Sequence, residues 1–101
     1  MASEKERAAE EVLNAKASFE TALSNKRKYP LIAFSVFART TRRYIAVTAG
    51  DRLIHRRVAG EISGLAEYLK AERKRVPDDV LCEADRLQCL LFSGYDPFLL
   101  G

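Results

Sequence analysis

Residues 29–58, YPLIAFSVFARTTRRYIAVTAGDRLIHRRV, combine aliphatic, β-branched and aromatic side chains with six arginines and a single acid, Asp51. Side chains this apolar must be buried, and charges this dense must be solvated or paired. How the chain resolves that conflict sets its architecture. Read at a period of two, the even positions of 31–39 are Ile32, Phe34, Val36 and Ala38, and the odd ones are Leu31, Ala33, Ser35, Phe37 and Arg39. The alternation predicts a strand. RTTRRY then reads as a polar turn, and Gly50-Asp51 suits a two-residue type II′ hairpin loop. With both turns in place, one face of a three-stranded antiparallel meander carries Ile32, Phe34, Val36, Ala38, Ile45, Val47, Ala49, Ile54 and Val58, apolar apart from Arg52 and Arg56. A one-residue slip would mix the two sets, so the agreement of the turns supports this register. The opposite, mixed face carries Phe37, Arg39, Tyr44, His55 and Arg57 among others.

On either side the period is helical. Ser3 followed by Glu6 fits a capping box. Ala8, Val12, Ala15, Phe19, Ala22 and Leu23 then form one apolar stripe, which predicts a helix from about residue 4 to residue 26. Pro30 disfavours helix at Tyr29. After Val58, the positions Ile62, Leu65, Ala66, Leu69 and Val76 line a second helix, stopped by Pro77; Gly64 within it suggests a close crossing over the sheet. Asp78 or Asp79 caps a third, striped by Val80, Ala84, Leu87 and Leu91 and stopped by Gly94. The predicted fold is α+β in the order α-β-β-β-α-α: one domain over residues 1–94 and a tail over 95–101. Its core is expected on Ile32, Phe34, Val36, Ile45, Val47 and Ile54.

Several functions are disfavoured. No apolar run approaches the roughly 20 residues of a membrane helix, and the charged start MASEKERAAEE does not resemble an export signal, so the expected compartment is the cytoplasm. Cys82 and Cys89, seven apart on one helix, lie about 10 Å from each other, too far for a bridge. They read as small buried hydrophobes. One histidine with two distant cysteines makes no metal site. There is no glycine-rich phosphate loop, nucleophile elbow or histidine pair, and His55 has no neighbouring carboxylate in sequence to orient it as a base. A non-enzyme without cofactor is expected.

The positive signal is electrostatic. Residues 26–57 hold nine basic residues against one acid, between two flanks of net negative charge. Arg39, Arg42, Arg43, Arg56 and Arg57, with Lys26, Arg27 and Lys28, would grip phosphates from an arginine-rich hairpin, while Phe37 and Tyr44 stack on unpaired bases. The expected function is a small binder of RNA or single-stranded DNA. A different outcome of the same residues is that the arginines pair with acids of the flanking helices, and Phe37 and Tyr44 pack beneath one of them. The alternative function is a structural or interaction protein, a homodimer or a subunit of a larger assembly, whose basic face meets an acidic protein. An apolar edge strand at LIAFSVFA makes a homo-oligomer the expected state in either case.

Overall fold

The computed structural model describes residues 3–24 and 28–93, and every regular element there is a helix. α1 spans Glu4–Leu23, α2 Leu31–Val47, α3 Arg56–Ala71 and α4 Asp78–Ser93, with a single 3₁₀ turn at Arg73–Arg75 between the last two. There is no strand among the described residues, so the meander and the α+β class are both corrected to a helical, bundle-like fold. The predicted tail at 95–101 and the stop at Gly94 lie outside the described residues.

The first helix starts as the sequence requires. Ser3 stands at the N-cap and its hydroxyl accepts the Glu6 amide hydrogen at 3.1 Å. Ala8, Ala9, Val12, Ala15 and Phe19 form its buried stripe. Val58, Ile62, Leu65, Ala66 and Leu69 do the same for α3, and Val80, Ala84 and Leu87 for α4. Gly64 marks no close crossing: a β-carbon built there meets nothing within 4 Å.

The expected strands at 31–49 are one helix, and the reason is visible in turn chemistry. RTTRRY contains no Gly, Pro, Asn or Asp, the residues that a tight reversal between strands requires. From Leu31 to Ala49 nothing interrupts a helix, and a helical period was present beside the alternation. Phe34, Phe37, Thr41, Tyr44 and Thr48, spaced three or four apart, together with Ala38 beside Phe37, are the buried set. The core prediction changes accordingly. Phe34 is buried, and Val36, Ile45, Val47 and Ile54 are half-buried against the core. Ile32 is 84% exposed. Gly50 does take a turn conformation, with φ at +83°, but it reverses the chain after α2 rather than within a hairpin.

α1 and α2 run antiparallel, since Phe19 packs edge-on to Phe34 with ring centroids 5.4 Å apart and Glu11 meets Arg43. α1 and α3 run in the same direction: Lys5 reaches Asp51 just before α3, and Lys16 reaches Glu61 within it. α4 closes the body against α2 and α3, and the whole measures 39 × 39 × 19 Å. Phe19, Tyr29, Phe34 and Phe37 form a chain of tilted aromatic contacts across the α1–α2 seam. Such pairs add about 0.5–1.5 kcal/mol each to the burial of their area.

Candidate functional site

The basic block is divided by the fold. Arg42 and Arg43 are consecutive on α2, so about 100° of helical rotation separates their directions. Arg42 turns to α4 and donates to Glu83 Oε1. Arg43 turns to α1 and donates to Glu11 Oε2 at 3.3 Å. Each acid comes from one of the acidic flanks. Both pairs lie at the surface, where an ion pair adds about 0–1 kcal/mol. Arg39 is exposed on the outer face of α2 with Ile32, Ser35 and Ala46. Arg56 and Arg57 are exposed in the first turn of α3, a helix that packs on α1 and α4. Lys28 is exposed just before α2, and Lys26 and Arg27 lie outside the described residues.

The two stacking residues are inside. Phe37 and Tyr44 are each 2% exposed and belong to the central core. Tyr44 also has a structural role in its hydroxyl, which accepts the His55 backbone N–H at 2.8 Å and so ties the loop after α2 to that helix. The arginine-rich hairpin with two aromatic platforms therefore does not exist, and the nucleic-acid reading built on it is withdrawn. The alternative reading, a basic face built on the arginine-rich hairpin for an acidic protein, loses its face in the same way, because two of its arginines are spent on Glu11 and Glu83 and the others are divided between α2 and α3.

His55 is the N-cap of α3, its Nδ1 accepting the Val58 N–H at 3.4 Å. That nitrogen is occupied by the helix end, which gives the imidazole a local structural task. Cys89 is half-buried, but Cys82 is exposed on α4, a correction to its predicted burial; both are free thiols. Among the described residues no cluster of three or more His, Cys, Asp or Glu is placed to hold a metal ion. No helix there is long and apolar enough to cross a membrane.

Two features escaped the sequence. The Lys16 side chain, only 14% exposed, bridges Glu20 on its own helix and Glu61 on α3. Burial pushes the Lys16 ammonium down, but its hydrogen bonds and attraction to Glu61 and Glu20 outweigh it and hold the pKa above the usual lysine value. The Lys16 hydrogen bond in turn draws the Glu61 carboxyl below the usual glutamate value. The i, i+4 spacing of Lys16 and Glu20 was a readable signal; Glu61, 45 residues further on, had none. The second feature is the connection between α2 and α3. Arg52, Leu53, His55, Arg56 and Arg57 are all exposed, Leu53 at 86%. The one acid of this connection, Asp51, is held by Lys5 at 2.7 Å. Arg52 and Arg56 make no ion pair among the described residues.

No family model, no curated protein and no solved structure matches this chain.

Proposed function

We propose that the chain is a non-catalytic binding module and that its contact surface is the exposed segment Arg52–Arg57, which takes an anionic surface. The observation that carries this reading is the contrast in charge pairing within the basic block. On α2, Arg42 and Arg43 meet the protein's own carboxylates. At 52–57 the arginines face solvent, and the neighbouring acid is already matched by Lys5. Taken together, Asp51 and the adjoining first turn of α1, with Glu4 and Glu6 beside Lys5 and Arg7, carry one net negative charge against the three arginines of the segment. The non-catalytic part of the reading is supported by the occupation of the titratable groups: His55 caps a helix, and Glu61 and Glu83 are in ion pairs. Self-association was expected from an apolar strand edge; that segment is the helix α2, so the expectation has no edge to rest on.

Cation-exchange chromatography of two triple variants tests the assignment at equal net charge. R52A/R56A/R57A removes three charges from the proposed surface, and R73A/K74A/R75A removes three from the turn before α4. The first is expected to elute at clearly lower salt than the second, because exposed cations close together in the chain, two of them without an ion pair, dominate adsorption to an anionic matrix. Equal elution, or the reverse order, would place the dominant positive surface elsewhere and sink the reading.

A further inference from the structure

We infer that the anionic surface met by this segment is a phospholipid bilayer, touched from the side; the inference rests on the reading of Arg52–Arg57 as the contact surface. Arginines alone do not distinguish phosphates of a lipid headgroup from those of a nucleic acid. What stands beside them does. A single-stranded nucleic acid is held by exposed aromatic rings on which bases stack. Tyr44, the nearest core aromatic, is buried with its hydroxyl occupied by His55, and the one exposed ring of the segment, His55 itself, is tied to the start of α3 through Nδ1, so no Phe, Tyr or Trp platform stands there. The exposed apolar group is aliphatic instead. Leu53 stands 86% exposed between Arg52 and the Arg56-Arg57 pair, and the next residue, Ile54, is half-buried against the core and fixes the segment to the body. An aliphatic side chain flanked by guanidinium groups suits the boundary of headgroups and acyl chains: the leucine enters the apolar side while the arginines stay at phosphate level. Left in water, Leu53 gains nothing from the fold.

The contact this predicts is weak and reversible. Each arginine near an anionic leaflet strengthens partitioning by roughly fivefold, and the attraction fades with salt over the Debye length. Burial of one leucine side chain contributes a further factor of about ten.

The test is co-sedimentation of the full chain with vesicles of phosphatidylcholine plus phosphatidylserine, and of phosphatidylcholine alone. Binding to the mixed vesicles that disappears at high salt, falls about tenfold in L53A and falls further in R52A/R56A is the expected result. Leu53 and both arginines are exposed, so circular dichroism should be unchanged and the melting point should not fall in these variants, which separates lost binding from lost fold. If neither vesicle binds while R52A/R56A/R57A still elutes early from the cation exchanger, the bilayer is overturned and the contact surface stands. If neither vesicle binds and the elution is also unchanged, both fail. Tight binding of a single-stranded oligonucleotide that R52A/R56A abolishes and L53A leaves intact would likewise overturn the bilayer, in favour of a nucleic acid.

Discussion

Two halves of one basic, apolar stretch meet opposite fates. In α2, residues 31–47, the aromatic groups go inward, and Arg42 and Arg43 find acids on α4 and α1. In residues 52–57 the leucine and the arginines remain outside. Composition is similar in both. The difference is that a helix of 17 residues, lying between α1 and α4, has two neighbours to supply both apolar area and carboxylates. A short connection at the end of the body has Tyr44, Lys5 and the edge of the core, which secure its backbone, Asp51 and Ile54 and leave the rest in water. Charge and hydrophobicity in a sequence thus mean different things according to how many neighbours the fold brings.

The widest gap between the two regions should appear on truncating one apolar side chain in each. Phe37→Ala removes a buried ring and should cost about 3–5 kcal/mol in urea unfolding, while Leu53→Ala should stay within about 0.5 kcal/mol. Comparable losses at the two sites would mean that Leu53 is packed and the contrast is false. The link between the regions is the Tyr44 hydroxyl. Tyr44→Phe should cost about 1 kcal/mol, because the half-buried His55 amide loses its acceptor, and hydrogen exchange should accelerate at His55 and the start of α3 before α2 is affected. A uniform change across the chain would remove the Tyr44 hydroxyl as the tie between them.

A third prediction concerns pH, and its sign follows from the two shifts at the α1–α3 seam. Glu61 is depressed in the folded state, so its contribution is complete above the ordinary glutamate pKa and is lost as pH falls through the lower folded value. Lys16 is raised, so its contribution is complete below the ordinary lysine pKa and is lost as pH rises through the higher folded value. Stability from this seam should therefore be flat near neutrality and decline at both extremes. Glu61→Gln should lower neutral-pH stability by about 1 kcal/mol, with the half-buried Lys16 keeping Glu20 as a partner, and should shallow the acid limb of the melting profile. An unchanged acid limb would show that the seam carries no titrating load.

The smallest effect is a difference in sign. Removing Arg42 and Arg43 takes away two surface ion pairs and should destabilise by about 0–1 kcal/mol for each. Arg56 and Arg57 stand instead in the first turn of α3, which holds no acid and whose positive end disfavours cations, although Arg57 has Glu61 one turn further on to offset part of this. Replacement of Arg56 by alanine should stabilise by about 0.3–1 kcal/mol, and replacement of Arg57 by less, because Glu61 loses its attraction. Thermal melts of the two double variants, read at low ionic strength, should move in opposite directions, and movement in the same direction would undo the distinction between paired and unpaired halves.

Three of the four helices were legible in the chain before any coordinates, through Ser3 and Glu6 at one start, Pro77 at one junction, and apolar stripes whose members are nearly all buried. α2 was not, because Ile32, Phe34, Val36 and Ala38 alternate at the same time as Phe34, Phe37, Ala38, Thr41 and Tyr44 recur at helical spacing. The missing turn residues in RTTRRY were the signal that decided between them. The candidate site was legible only as a density of arginine. Which arginines have partners depended on Glu11 and Glu83, 32 and 41 residues away from Arg43 and Arg42.

By itself, then, the amino-acid order determined the helical stripes of α1, α3 and α4, the break at Tyr29-Pro30 and the presence of a basic centre between acidic flanks, because these depend on local spacing and backbone preference. Tertiary structure alone decided that Phe37 and Tyr44 are core, that Arg42 and Arg43 are paired, and that Leu53 stands exposed between arginines. Those outcomes are matters of burial and of distance between segments remote in sequence, and no local period encodes either one.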